Sequence, residues 1–262
     1  MVCQCGKASP VRRQKADALT VEIYASRAQM GQAAACDVTA AMKGVIARKG
    51  KATMVFAAAP SQNEFLAALS ADASLDWSVV TAFHLDEYVG LASDAPQGFG
   101  NFLRRGLFDK VKPGTVYFMN GNAPDLEAEC RRYADALAAH PVDIACIGIG
   151  ENGHLAFNDP PIADFADPKA VKVVELEERC RLQQVHDGCF ATMDQVPTHA
   201  LTMTVPAIVS AAAIFCMVPA ASKAEAVQAT IAGPISTSCP ASILRRYASA
   251  TVYLDPDSVS LI

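Results

Sequence analysis

The sequence is short of charge: only 19% of its 262 residues are Asp, Glu, Lys or Arg, while 52% are hydrophobic. A chain so apolar can bury a substantial core, which excludes disorder. A net positive charge is also missing, since 22 basic against 27 acidic residues leave −5. That excludes a generally basic nucleic-acid binder. No uninterrupted apolar span is present either. Positions 200–222 carry no charge, but Pro206 and Pro219 break the stretch and alanines dominate it, so it reads as buried strand, short helix, buried strand rather than a membrane span. No apolar run follows Arg12, Arg13 and Lys15 within the first 19 residues, so no secretory signal is visible and a cytoplasmic location is expected. The nine cysteines include no Cys-x-x-Cys pair. Cys3 and Cys5 stand in a polar tail, and Cys146 and Cys216 read as small apolar fillers, which predicts free thiols and no metal site. Linkers, internal repeats and low-complexity tracts are absent as well.

Apolar strand-like runs alternate with helical stretches along the chain. Strands are expected over 20–24, 53–58, 79–84, 116–119, 142–149, 171–176, 214–218 and 251–254. The helix after the first strand has apolar positions at Met30, Ala34, Val38, Met42 and Ile46, and Gly50 stops it. Further helices are expected from about 61, over 99–108, 124–139, 223–231 and 241–247. The alternation predicts the α/β class: three layers, a mostly parallel sheet with helices on both faces. Residues 1–19 are assigned to a polar N-terminal tail and 20–262 to a single α/β catalytic domain.

The densest chemistry follows the apolar run that begins at Asp143. It contains Gly148-x-Gly150-x-x-Gly153, but the prolines at 160 and 161 leave no room for the helix that a dinucleotide fingerprint requires. What remains is a glycine turn at the carboxyl end of a strand, presenting Glu151, Asn152, His154, Asn158 and Asp159 within nine residues. A second strand end, Phe83-His-Leu-Asp-Glu-Tyr-Val-Gly90, carries Asp86, and a carboxylate in a half-desolvated cleft can take a carbon-bound proton. Two helix starts, Ser61-Gln-Asn-Glu64 and Ser222-Lys-Ala-Glu225, match the serine-to-glutamate capping box. Capping alone would explain the first. In the second, Lys223 places a cation on the positive end of its helix, and a bound anion such as phosphate would offset that cost.

These segments together resemble the glucosamine-6-phosphate deaminase/isomerase family, which is related to 6-phosphogluconolactonase. The likeness runs from about Ile23 to Leu254 and rests on His84-Leu-Asp-Glu-Tyr-Val-Gly-Leu91, Asn120-Gly-Asn-Ala-Pro-Asp125, Gly148-Ile-Gly-Glu-Asn-Gly-His-Leu-Ala-Phe-Asn-Asp-Pro160, Gln195-Val-Pro197 and Ser222-Lys223. The resemblance implies conversion of glucosamine 6-phosphate and water to fructose 6-phosphate and ammonia without a cofactor. It makes Asp86 the base between C2 and C1, His154 the group that opens the ring, and Asp159 the support for that histidine. Ser61 and Lys223 become phosphate ligands, with Gly150 and Gln184 as further candidate binding positions. The implied partner is a small sugar phosphate, with neither nucleic acid nor membrane, and assembly into a homo-oligomer is left open. A sugar-phosphate lactonase and a non-catalytic sugar-phosphate-binding paralogue are the alternatives.

The chain departs from the family pattern in places that bear on the site. Asn152 stands where an aspartate is usual, and the neighbouring Glu151 is the candidate to replace its charge. Asp159 stands for a glutamate, one methylene longer. The glycine- and threonine-containing phosphate loop is replaced by Ala57-Ala-Ala-Pro-Ser-Gln62. Gln184 stands for a phosphate-binding arginine, with Arg179 or Arg181 as nearby cations, and only Lys172 corresponds to an effector-site basic residue.

Overall fold

The computed structural model describes residues 7–262, so Cys3 and Cys5 lie outside it. Its strands are β1 Arg12–Ala16, β2 Leu19–Ile23, β3 Ala52–Phe56, β4 Val80–His84, β5 Asp86–Tyr88, β6 Thr115–Tyr117, β7 Ile144–Ile147, β8 Val171–Glu175, β9 His199–Met203, β10 Ala213–Val218 and β11 Ala250–Leu254. The α-helices are α1 Arg27–Lys49, α2 Asn63–Ser70, α3 Phe99–Leu103, α4 Asp109–Val111, α5 Leu126–Ala139, α6 Glu178–His186, α7 Val205–Val209 and α8 Ala224–Ala232.

The main sheet has the order β1-β2-β11-β10-β7-β3-β4-β6, parallel throughout except for the β1–β2 hairpin. Both faces are apolar because neighbouring strand residues point to opposite sides. Met54 and Phe56 pack with α1, α2 and α3, whereas Val55 packs with α5, α7 and α8. This is the expected three-layer arrangement. Cys146 and Cys216 are buried fillers in it. The first helix is bounded as its sequence predicts: Ser26 Oγ caps it by accepting from Gln29 N–H, and Gly50, at φ 70°, ends it. Gly31 lets α2 approach closely, since a Cβ there would sit 2.6 Å from Glu64 Cβ and 2.8 Å from Phe65 N. That crossing brings the first turn of α1, with Arg27, to the carboxyl edge of the sheet.

Several elements differ from expectation. Arg12–Ala16, assigned to the polar tail, forms edge strand β1, whose charged residues suit an edge. Residues 240–246 form a 3-10 helix instead of an α-helix, and α3 runs into a π turn at Arg104–Phe108. A second, antiparallel sheet, β5-β9-β8, was not foreseen. It pairs Asp86 with Thr202 and carries the chain away from the end of β4.

Candidate active site

The loops after β3, β7 and β10, together with Asp86 and the first turn of α1, line an open cleft at the carboxyl ends of the strands. This is where ligands bind in open α/β sheets. Strands β4 and β7 are not neighbours, because β3 lies between them. Asp86 and His154 nonetheless line the same cleft.

Asp86 is placed by the histidine two residues before it. The buried His84 ring accepts from Met119 N–H through Nε2 (2.9 Å), so Nδ1 carries the hydrogen and donates to Asp86 O (2.8 Å). Burial holds the His84 pKa below the usual value, which keeps the ring neutral in this role. Glu87 points the other way along β5, accepting from Phe99 N–H and Gly100 N–H at the start of α3. The Asp86 carboxylate, only 8% exposed, receives no hydrogen bond from any described residue. Burial, assisted by the negative charge of Glu87, raises its pKa well above the ordinary aspartate value. A carboxylate that is largely buried and has no protein donor on it is a strong base towards a C–H bond.

His154 has a different setting. Its ring lies against Gly150, where a Cβ would stand 2.1 Å from both Cε1 and Nε2. Asn152 Oδ1 lies 2.8 Å from His154 Nδ1 and accepts from His154 N–H at 3.1 Å. The same amide donates through Nδ2 to Asp159 Oδ1 (2.9 Å) and Glu177 Oε2 (2.7 Å). With the amide nitrogen committed to carboxylates, its oxygen faces the imidazole, so Nδ1 carries the hydrogen and Nε2 is left as an acceptor. Asp159 Oδ1 also lies 2.9 Å from Nδ1. Burial pushes the Asp159 pKa up, but the interactions with His154 and Asn152 outweigh it and hold it below the aspartate norm. Cys180 packs on this pair: its Sγ, an Asp159 oxygen and a His154 nitrogen lie within 4.8 Å of one another, and burial raises the thiol pKa.

Gly150→Ala is expected to push the imidazole out of place without straining the backbone. A displacement of about 1 Å costs on the order of a hundredfold in turnover. Steady-state kcat should show that loss, while circular dichroism stays native.

The cleft also collects cations and donors. Lys223 is 4% exposed, and its ammonium makes no hydrogen bond or ion pair with any described residue. Burial lowers its pKa, and the more distant Asp187, Glu151 and Cys180 pull it back in part. Ser61 Oγ accepts from Gln62 Nε2 at 3.0 Å, which leaves its own proton free to donate. Ala220 takes φ 87°, a conformation costly for an L residue, with its N–H donating to Asp255 Oδ1 at 3.1 Å. This strained turn aims the Pro219–Lys223 loop into the cleft.

The structure therefore gathers Asp86, His154, Gly150, Ser61, Gln184 and Lys223 around one cleft, with Asp159 and Asn152 behind His154. Three expectations need correction. Glu151 does not stand in for a charge at 152: its carboxylate turns towards His186 (3.5 Å), and Glu177 occupies that place. Neither capping box forms, because each segment makes a 3-10 turn first and the α-helix starts without a side-chain cap. Arg179 and Arg181 do not line the cleft; they engage Glu225 and the Met193 and Val196 carbonyls. The arginine that does line it is Arg27, held by Pro60 O (2.6 Å) and Glu64 (2.8 Å). Lys172 is tied to Asp167 and Ile162 O. Local spacing contained no signal for Arg27 or Glu177.

The family model for glucosamine-6-phosphate isomerases/6-phosphogluconolactonase matches residues 25–253. The chain belongs to that family. The glucosamine-6-phosphate deaminase of Bacillus cereus (strain G9842) is 42% identical over 187 residues, covering 71% of this chain and 70% of the relative. The deaminase of Bacillus anthracis (strain A0248) matches to the same extent, at 42% over 187 residues. Among solved structures, a monomeric glucosamine-6-phosphate deaminase, described as a missing link of the NagB superfamily, superposes with a TM-score of 0.84 at 33% identity. That match covers 92% of this chain and 99% of the other. A 6-phosphogluconolactonase from Thermotoga maritima shares the fold, with a TM-score of 0.72 at 17% identity over 90% of this chain and 99% of that one. Among the described residues no helix is long and apolar enough to cross a membrane.

Proposed function

We propose that this member of the family is an amino-sugar-phosphate deaminase/isomerase that converts glucosamine 6-phosphate, or a close variant, to fructose 6-phosphate and ammonia. The observation that carries the reading is the shared cleft: a largely buried carboxylate at 86 with no protein donor on it, an imidazole acceptor at 154 and a buried, unpaired ammonium at 223.

The His154 Nε2 takes the proton from the C1 hydroxyl and returns it to the ring oxygen, which opens the sugar to its aldehyde. Asp86 then removes the C2 proton. The electron pair moves through C1=C2 onto the carbonyl oxygen, which takes a proton from the C2 ammonium to give a neutral enolamine. The proton held by Asp86 returns at C1, leaving an iminium at C2. Water adds at C2, and the C–N bond breaks to release ammonia and the ketose. Every step is a proton transfer, an addition of water, or a C–O or C–N cleavage driven by one. The phosphate lies at the opposite end of the substrate, where Lys223 and the Ser61 hydroxyl receive it, with Arg27 at the rim.

The purified chain should release ammonia and a ketose phosphate in equal amounts from glucosamine 6-phosphate, measured by coupled assays. Hydrolysis of a phosphogluconolactone with no ammonia from the amino sugar would replace this reading with the lactonase one. Binding of hexosamine phosphates without turnover would replace it with the non-catalytic one.

A further inference from the structure

Glu177 comes from the segment entering α6, outside the residues that line the cleft, yet its carboxylate makes one hydrogen bond: it accepts from the amide of Asn152. No other hydrogen bond or ion pair of that carboxylate occurs among the described residues. The Asn152 amide has two hydrogens, and each goes to a different carboxylate, Asp159 at 2.9 Å and Glu177 at 2.7 Å. A flipped amide would turn its oxygen onto both carboxylates and its hydrogens onto the His154 N–H and Nδ1–H, so donors would face donors and acceptors would face acceptors. We infer that Glu177 is a positioning residue for the reaction: with Asp159 it holds the Asn152 amide in the one orientation that receives the His154 Nδ1 proton, leaving Nε2 free for the sugar.

This assignment rests on the reading of His154 as the ring-opening group. It also explains why asparagine stands at position 152. An aspartate there would bring a third carboxylate within hydrogen-bonding distance of two others, with no hydrogen between them, and the repulsion would displace the group that orients His154. Asparagine at 152 and an acid at 177 are thus a matched pair.

The test uses the full chain. Glu177→Ala should lower kcat about tenfold, as loss of an outer partner of a working imidazole does, with KM for glucosamine 6-phosphate within about twofold of wild type. Glu177→Gln, whose side-chain oxygen can still accept from Asn152, should recover most of the rate. Histidine labelled with 15N gives an independent readout: the His154 Nδ1–H resonance, assigned by its loss in His154→Gln, should shift in Glu177→Ala and return in Glu177→Gln. Asn152→Asp should lose more than tenfold in kcat, and adding Glu177→Gln to it should restore much of that loss. An unmoved His154 resonance in Glu177→Ala, or an Asn152→Asp chain as active as wild type with Glu177 in place, overturns the assignment. A moved resonance with an unchanged kcat overturns its bearing on turnover. If the wild type releases no ammonia, the substrate reading falls, and the resonance still decides whether Glu177 positions His154.

Discussion

Asp86→Asn should reduce kcat for ammonia release on the order of a thousandfold while leaving KM nearly unchanged and raising the melting temperature. The substitution keeps the shape of the side chain and removes only its basicity. Asp86 receives no hydrogen bond from a described residue, so no structural partner is orphaned by the change. The stability effect follows from the direction of the pKa shift. Burial makes the folded carboxyl hold its proton more tightly than the unfolded one. Below the unfolded value both states are protonated and nothing is lost. As pH rises through the window up to the raised folded value, the unfolded chain releases its proton first, and stability falls. At neutral pH the carboxylate is therefore a standing cost to the fold, and an amide removes it. For a chain of this size each kcal/mol regained corresponds to about 2–4 °C. The activity profile has the opposite sense, because the base works only when ionised. Wild-type kcat/KM should climb with pH through the raised Asp86 value, and the residual activity of Asp86→Asn should lack that limb. Unaltered turnover in Asp86→Asn would remove this residue from the mechanism.

The same coupling of cost and use explains which parts of the site could be read before the fold was known. The glycine–histidine segment and the Asp-Glu-Tyr segment were legible because each chemical group directly follows an apolar strand run, so its position at a sheet edge is a local property. The central strands were legible for the same reason, since both faces are covered and their sequences are continuously apolar. Strand β1 was not, because an edge strand facing solvent carries the charges of Arg12, Arg13 and Lys15 and has no apolar signature. The two Ser-x-x-Glu spacings are local too, but the chain leaves its strands in 3-10 turns that serve the cleft, and the caps are forgone. Where sequence proximity suggested Glu151 as the partner at 152, successive residues of the glycine turn point apart, and the carboxylate arrives from 25 positions further on. Arg27 and Glu177 had no local pattern to betray them, since one becomes a cleft residue only through the α1–α2 crossing and the other only through the entry of α6.

Removing the ammonium at 223 tests the proposed phosphate contact. Lys223→Met preserves most of the apolar stem and deletes the charge, so the empty protein should become more stable rather than less. Burial lowers the Lys223 pKa, and no anion is in contact with the ammonium to offset it. Below that lowered value both the folded and the unfolded side chain are protonated, and the fold bears the whole desolvation cost. Between the folded and unfolded values only the unfolded chain keeps the proton, so stability rises with pH across that window. A phosphate in the cleft supplies the missing partner and reverses the account: wild-type protein should gain about 2.7 kcal/mol at a ligand concentration 100 times Kd. Lys223→Met should gain far less at the same concentration. In turnover, loss of a desolvated ion pair worth about 3 kcal/mol raises KM on the order of a hundredfold. The effect on kcat should be smaller, because the phosphate contact is made equally in the ground and transition states. Thermal melts with and without glucosamine 6-phosphate, set beside the kinetics, separate these effects. A wild-type KM in Lys223→Met, or an equal ligand-induced rise in its melting temperature, would place the phosphate elsewhere and leave the buried ammonium without a purpose in binding.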